Sequence, residues 1–526
     1  MNPDQNRRWI VHPWLANGLF FAMLLLYCAV VAEGRFFPTV DGPVHSYNAR
    51  LFGDLLVGDP HSSAFFHFNG VPVPYWTSTV LMWLFGILFG PTEAERAMVL
   101  LIIIATALAF RRFMHTVTEP NSIGSLLIFP FLWTAPLQLG FFNFCLGLAL
   151  FFFFLSWWLR RSKGQSMVGN ANVGTLLFIL LFFTHLMVFA MTLAVVAGHA
   201  CWMKWRMRDT SFLRSLFKDL ALMALPALVL CVWYFITSDS ESTEAIAIPI
   251  SERWEWLMHA QPLLTLVWDQ ERPMARAVQA GLLLLTLAAF RHRRKALLFS
   301  PTGGAWGSLA LLLFAACLLL PDRFASGTAL LVRLQLFALI MWAVWCAAQP
   351  MNEVLRVLGV SLVSFGGLWH LHFQQDHLRV LRAEAEDLYS MHVAIAADAT
   401  VLPLNYSANW VQGNFSDYLG LWKNTIVLDN FVARAPHAPI RWLRELEPFD
   451  DMGTLYNSLQ PCVQLDAWTE RTGRTIDHII TSGMPGSPTD SCTIDVQRQL
   501  LYRYDLSVVS PSSVVKLYTL KPTPGP

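Results

Sequence analysis

Long apolar runs recur along this chain from about residue 14 to about residue 372 and then stop. A helix needs about 20 apolar residues to cross the hydrocarbon core of a bilayer, and the first run, about Trp14 to Ala32, approaches that length. Only 14% of the 526 residues are charged, whereas a globular domain has about 25%. The pattern predicts a polytopic α-helical membrane module over residues 1–372 and a soluble domain over 373–526. The formal net charge of +1 gives no indication of a nucleic-acid partner.

Basic residues predict the orientation of the membrane module. Sixteen Lys and Arg lie in short clusters, whereas the competing loops 33–96, 237–275 and 321–328 hold only six Arg. The clusters are Arg7/Arg8, Arg111/Arg112, Arg160/Arg161/Lys163, Lys204 through Lys218, and Arg291 through Lys295. Because basic loops stay in the cytoplasm, we expect a cytoplasmic N-terminus and an extracytoplasmic C-terminal domain. The first apolar run continues past Ala22 without a cleavage site, so we expect it to be a retained span.

About eleven spans fit this charge pattern. Two of them are short and meet at Thr184-His185 near the outer face. The run from Tyr75 to Gly90 cannot span without inverting every later loop, so we interpret it as a juxtamembrane or re-entrant helix in the first outer loop, 33–96. The predicted spans are 14–32, 97–113, 122–137, 141–159, 173–184, 187–203, 218–236, 276–290, 305–320, 329–349 and 353–371.

The segment from 373 to 526 has the pattern of a small α/β domain with a mixed sheet. Helical patterns lie at His377–Ala397 and Ile440–Glu447. Its only two cysteines, Cys462 and Cys492, suit one disulfide in an oxidising compartment. The predicted strands are Thr400–Leu404, Thr425–Leu428, His478–Thr481, Tyr504–Val509 and Val514–Leu520.

The first outer loop opens with the run Asp41-Gly-Pro-Val-His45-Ser-Tyr-Asn48, directly after the first span. If the run is helical, the carboxylate of Asp41 and the imidazole of His45 share one face, since they are four residues apart. A base and a phosphate-binding cation would then lie together just outside the membrane.

Taken together, these features resemble the GT-C superfamily of membrane glycosyltransferases, of the protein mannosyltransferase or aminoarabinose transferase type. The resemblance covers roughly residues 10–372. It rests on Asp41 with His45 and Asn48 close behind, and on the large polar tail. It rests further on Arg111-Arg112 at the end of a span, the turn Gln138-Leu-Gly-Phe-Phe-Asn143, and Thr184-His185, where members often carry Thr-Lys. Members often have a second acidic residue beside the first-loop Asp, and here Gly42 stands in that place, which leaves metal dependence open.

The resemblance implies roles for these residues, each with a simpler alternative. Asp41 is the candidate catalytic base, or else an N-cap of a helix. His45 would bind phosphate or orient Asp41, or else be an interfacial histidine. His185 lies at membrane depth, where ionisable residues are rare, and would contact the lipid phosphate or bond between helices. Arg333 would bind phosphate or extend to the interface, with Arg323 as second choice. Asn48, Gln138 and Asn143 are further substrate-binding candidates.

A GT-C enzyme moves a sugar from a polyprenyl-phosphate or polyprenyl-diphosphate donor to a glycan, lipid or protein acceptor on the outer side of the membrane. We therefore expect an inverting glycosyltransferase in a bacterial inner membrane, with its C-terminal domain in the periplasm. Two other classes stay open. An O-antigen ligase or polymerase usually places its large polar loop between late spans, and a transporter predicts internal repeats, which this sequence does not display.

Overall fold

A computed structural model describes residues 12–118, 123–162, 171–207, 210–237, 248–292, 303–323, 328–450, 452–455 and 461–522. The basic residues at 7–8, 163, 208 and 293–295 lie outside these ranges. The chain divides into two compact units. The first, here called the membrane unit, contains residues 1–32 and 100–375. The second, here called the polar unit, contains residues 33–99 and 376–526.

The described residues form seventeen α-helices, nine strands and several short 3-10 helices. The helices are α1 Pro13–Ala32, α2 Gly42–Val57, α3 Pro60–Ser63, α4 Trp76–Phe89, α5 Ala94–Val117, α6 Ala135–Gln138, α7 Phe142–Ser162, α8 Ala171–Thr184, α9 Leu186–Met207, α10 Thr210–Thr237, α11 Ile250–Met258, α12 Trp268–His292, α13 Gly303–Leu319, α14 Leu330–Ala348, α15 Glu353–Tyr389, α16 Ala467–Thr472 and α17 Ser491–Arg503. The strands are β1 Phe66–Phe68, β2 Thr400–Asn405, β3 Ile426–Val427, β4 Ile440–Trp442, β5 Gly453–Thr454, β6 Cys462–Val463, β7 His478–Ser482, β8 Tyr504–Val509 and β9 Val515–Leu520.

This is a polytopic helical membrane protein. Within the described ranges, eight helices are long and apolar enough to cross a membrane. Three shorter apolar helices, α4, α8 and α13, accompany them. Ten of the eleven predicted spans coincide with an α-helix. In α7 and α14, 89% and 78% of the spanning residues are buried, against 33% in α10, so α7 and α14 are the most enclosed helices. The outer faces of α1 and α10 expose large apolar side chains, as lipid-facing helices do.

The predicted span over 122–137 is wrong as a continuous α-helix. Residues Ile123–Phe131 form a buried 3-10 helix instead, followed by the short helix α6. Pro130 and Pro136 explain the break, because proline lacks the N–H that an α-helix needs.

The structure contains two features that the sequence predicts, the break between helices at His185 and a separate helix after Tyr75. The helices α8 and α9 meet at His185, which belongs to neither helix. The run predicted as a juxtamembrane or re-entrant helix forms α4, which has 14 residues and measures about 21 Å.

The core of the polar unit is a five-stranded mixed sheet in the order β3-β2-β7-β9-β8. The strand β2 is parallel to β3 and β7, and β9 is antiparallel to β7 and β8. All five predicted strands are therefore confirmed. The predicted helix at Ile440–Glu447 is wrong, because residues 440–442 pair as strand β4 with β1 of the first outer loop. The predicted helix at His377–Ala397 is the continuation of α15 as far as Tyr389.

The sulfur atoms of Cys462 and Cys492 are joined in a disulfide, with the two Cα atoms 5.6 Å apart. The bond links strand β6 to the first turn of α17. It therefore attaches a short two-stranded ribbon, β5-β6, to a helix of the same unit.

Candidate active site

Asp41 occupies the N-cap position of α2, which begins Gly42-Pro43 and ends at Gly58 in the left-handed conformation. Proline in the first turn and glycine after the last turn are ordinary helix boundaries. The side chain of Asp41, however, makes no capping hydrogen bond to the helix. Helix capping alone therefore does not account for an aspartate at this position.

Asn414, from the 3-10 helix Trp410–Leu421 of the same unit, holds Asp41 directly. Its amide nitrogen donates to Asp41 Oδ1 over 3.2 Å and to the carbonyl oxygen of Val40 over 2.8 Å. Asn414 is completely buried. A hydrogen bond to the carboxylate favours its charged form and fixes its direction, which is what a general base requires.

The turn before Asp41 is held by Glu95. One carboxylate oxygen of Glu95 accepts hydrogen bonds from the backbone N–H of Thr39 (3.0 Å) and from its hydroxyl (2.8 Å), and the other accepts from the hydroxyl of Tyr418. The Thr39 hydroxyl oxygen in turn accepts from the N–H of Gly42 over 2.9 Å. A Cβ atom at position 42 would overlap the Glu95 carboxylate. The carboxyl group of Glu95 therefore fills the space beside Gly42 that a side chain would need.

His45 lies one helical turn after Asp41, and its backbone N–H donates to the Asp41 carbonyl over 3.0 Å. Burial lowers the pKa of His45 to about 4, so the imidazole is neutral at pH 7 and cannot serve as a cation. Asn48 lies a further turn along and is buried. It forms a reciprocal pair of amide hydrogen bonds with Asn430, 2.9 and 3.4 Å long. The Asn48 amide is thus engaged within the polar unit, and its substrate-binding role stays a prediction.

Two further carboxyl groups of the polar unit, Asp417 and Asp429, are buried. Asp429 accepts a hydrogen bond from the Ser416 hydroxyl over 2.7 Å, whereas neither Asp417 oxygen has a hydrogen-bond partner among the described residues. Burial, together with the charges of Asp429 and Asp41, raises the pKa of Asp417 well above its usual range. Burial also raises the pKa of Asp429 to about 7. Asp41 is therefore one member of a group of interacting acids.

Because the pKa values of Asp417 and Asp429 are raised, we expect the polar unit to be more stable at acidic pH than at neutral pH. A carboxyl group with a raised pKa binds its proton in the folded state at pH values where the unfolded chain has lost it. Stability should therefore fall as pH rises from about 4 to about 7, by up to a few kcal/mol since one pKa unit corresponds to about 1.4 kcal/mol. Thermal unfolding between pH 4 and pH 8 measures this, and Asp429→Asn should flatten the profile. A profile that is equally steep in the variant would contradict the assignment.

In the membrane unit, Arg333 and His185 lie together. The Arg333 Nη1 and His185 Nε2 atoms are 3.4 Å apart, and both side chains are less than 9% exposed. The guanidinium carbon lies 4.1 Å from the centre of the Phe141 ring and 5.7 Å from that of Phe144. The Phe144 ring also meets the His185 ring edge to face. Such stacking orients the planar guanidinium group.

Phe141 belongs to the turn Gln138–Asn143, so that turn and the pair Arg333–His185 converge in the membrane unit. Gln138 is buried and accepts a hydrogen bond from the Trp133 indole over 3.3 Å. Asn143 is buried in the first turn of α7. Arg323, in contrast, lies in the partly exposed connection after α13 and has no hydrogen bond or ion pair to another described residue. Arg333 is thus the better placed of the two arginine candidates.

Metal-ligating side chains do not assemble in the part of the chain that the structure describes. No group of three or more His, Cys, Asp or Glu side chains there is arranged to hold a metal ion. The Glu95 carboxylate is occupied by Thr39 and Tyr418.

Comparison with known proteins finds solved structures with a similar fold. No family model matches the chain, and no curated protein matches it. Solved structures do match, among them the crystal structures of ArnT from Cupriavidus metallidurans in the apo state and bound to undecaprenyl phosphate. Each gives a TM-score of 0.51 with 10% sequence identity, and the match covers 95% of this chain and 97% of that chain.

The chain shares the fold of ArnT. The likeness extends over both compact units, because it leaves only a twentieth of the chain unmatched. The resemblance predicted from the sequence is thus confirmed at the level of the fold.

Sequence reasoning missed four residues of the polar unit, namely Asn414, Glu95, Asp417 and Asp429. The first three contact or influence Asp41 from positions at least 54 residues away. Asn414-Phe415-Ser416 matches a glycosylation sequon, which obscured its role. An aspartate at 417 inside an apolar stretch, Phe415 to Leu421, was the one available signal of a buried acid.

Proposed function

We propose that this chain is a membrane glycosyltransferase that moves a sugar from a polyprenyl-phosphate donor to an acceptor on the extracytoplasmic face. The observation that carries the proposal is the fold, which matches ArnT over 95% of the chain, including a structure of ArnT with undecaprenyl phosphate bound. The positions of Asp41, His185 and Arg333 support it, since each is held by neighbours in the way that a reacting or binding group requires.

The proposed reaction is an inverting displacement with Asp41 as base. An acceptor hydroxyl attacks the anomeric carbon of the donor sugar and gives its proton to the Asp41 carboxylate. The bond between that carbon and the phosphate oxygen breaks, and polyprenyl phosphate leaves with the bonding electrons. Asn414 keeps Asp41 Oδ1 in place, and neutral His45 can donate a hydrogen bond without competing for the proton.

Arg333 and His185 are proposed to bind the phosphate of the lipid donor. A guanidinium group binds phosphate through two parallel hydrogen bonds, and Phe141 stacking restricts the plane in which it does so. A lipid phosphate carries the negative charge that a guanidinium group attracts.

We further propose that the protein lies in a bacterial inner membrane with its N-terminus in the cytoplasm and residues 373–526 outside. The arginine and lysine clusters support this orientation. Reporter fusions after residue 375 should be active only when exported. An active cytoplasmic reporter at that position would contradict the orientation.

The proposed activity is tested with purified protein in liposomes and a panel of polyprenyl-phosphate donors carrying a radiolabelled sugar. We expect release of polyprenyl monophosphate and label on an added acceptor, with opposite anomeric configuration in the product. A parallel assay with polyprenyl-diphosphate donors tests the alternative, because turnover of these donors alone, with release of polyprenyl diphosphate, would point to an O-antigen ligase type of reaction. Movement of intact label across the membrane would indicate a transporter.

A further inference from the structure

The polar unit contains a carboxylate that the proposed reaction does not use, that of Glu95. It is 1% exposed, and all its hydrogen bonds in the described chain come from two residues, Thr39 and Tyr418. A buried carboxyl group is costly unless it is hydrogen-bonded, so an arrangement with three hydrogen-bonding groups around it is built rather than accidental. Its partners lie directly beside the loop that carries Asp41.

The hydrogen bonds form a continuous path to Asp41. Glu95 fixes both the backbone and the hydroxyl of Thr39, and the Thr39 hydroxyl oxygen accepts the N–H of Gly42. The residue after Asp41 is therefore held by Glu95 through Thr39. The residue before it, Val40, is held through its carbonyl by Asn414. The backbone of Asp41 is thus fixed on both sides.

We infer that Glu95 is a positioning residue for Asp41, and that position 42 is glycine because the Glu95 carboxylate fills the space of a side chain there. The inference rests on the proposed function, since it gives Glu95 its role through the base. It also explains why the chain has no second acid at position 42: the neighbouring carboxylate comes from the start of α5.

Glu95→Ala removes the acceptor for Thr39 and should lower kcat by about tenfold through misalignment of the base, with the donor KM unchanged. Glu95→Gln should stay close to the wild type, because its amide oxygen can still accept from Thr39 and its amide nitrogen can donate to the Tyr418 hydroxyl. Glu93→Ala, which removes a carboxylate paired with Arg96 at the same helix start, is the matched control. Turnover of a radiolabelled polyprenyl-phosphate sugar by the full-length protein measures all three.

If Glu95→Ala does not fold, a pair of variants at Thr39 still tests the inference. Thr39→Val keeps the shape of the side chain but loses the hydroxyl that links Glu95 to Gly42, whereas Thr39→Ser keeps it. We expect Thr39→Val to lower kcat and Thr39→Ser to restore it. Equal rates in these two variants would overturn the inference.

Measuring Glu95→Ala in a protein that already carries Asp41→Asn distinguishes a failure of this inference from a failure of the proposed function. If Glu95 acts through Asp41, Glu95→Ala should cause no further loss in that background, since coupled residues are not additive. The same tenfold loss in both backgrounds, or full activity of Glu95→Ala beside an inactive Asp41→Asn, overturns the positioning role and leaves the base in place. Full activity of Asp41→Asn overturns the base and this inference with it.

Discussion

Asp41→Asn should lower turnover of a polyprenyl-phosphate sugar by about 10²- to 10⁴-fold, the usual cost of losing a general base. Asparagine has the same shape as aspartate and can still accept the hydrogen bond that Asn414 donates to Asp41 Oδ1. It cannot accept the acceptor's proton. Donor affinity and thermal stability should therefore stay close to those of the wild type, and steady-state turnover with a binding measurement tests the separation.

Asp41→Ala is the comparison that distinguishes chemistry from structure. If this aspartate served only to start α2, asparagine would be nearly silent, because it caps helices as well as aspartate does, and alanine would cost about 1 kcal/mol of stability. Because the Asp41 side chain makes no capping hydrogen bond, we expect the Asn variant to lose activity. An Asn variant with full activity would show that this carboxylate does no chemistry.

Arg333→Leu should weaken binding of undecaprenyl phosphate by about 10- to 100-fold, because a hydrogen bond to a charged group contributes about 1.5–3 kcal/mol. His185→Ala should weaken it in the same direction, since the imidazole lies beside the guanidinium at 3.4 Å. Arg333→Lys keeps the positive charge but loses the paired N–H donors of the guanidinium group and its stacking on Phe141. We therefore expect an intermediate loss of affinity for undecaprenyl phosphate. Titration of the detergent-solubilised protein with undecaprenyl phosphate measures the dissociation constants.

Arg276→Leu is a matched control for these variants. Arg276 is an exposed arginine of α12 in the same unit, and its loss should leave the dissociation constant unchanged. Unaltered affinity in both Arg333→Leu and His185→Ala would remove the pair from the donor site. An equal loss in Arg276→Leu would indicate a general effect of charge.

Local patterns were enough to predict much of this fold. Spans such as α7 and α14 follow from uninterrupted apolar runs, and the strands of the mixed sheet follow from short β-branched runs such as His478–Thr481. The interruption at His185 was predicted because two crossings had to fit between basic clusters with few apolar residues. In each case the information lies within about 30 consecutive residues.

The errors arose where distant partners decide the structure. Residues 440–442 have a weak local preference and become a strand because β1, more than 370 residues earlier, offers an edge. The segment at Ile123–Phe131 is apolar enough for a span, and its prolines decide against an α-helix. In the candidate site, Asp41 and His45 could be paired from their spacing of four residues. Asn414 could not, because 373 residues separate it from Asp41.

The distance along the chain between Asp41 and Asn414 also determines how late in synthesis the two residues can meet. A ribosome adds about 5–20 residues per second, so the loop with Asp41 is made about 20 to 75 seconds before Asn414 follows it. Until then, the Asp41 loop lacks Asn414 and Tyr418, and strand β1 lacks its partner β4. A nascent or prematurely terminated chain can thus contain all its apolar helices while the Asp41 loop still lacks the contacts that hold it. Only a molecule translated beyond Trp442 contains all of these contacts.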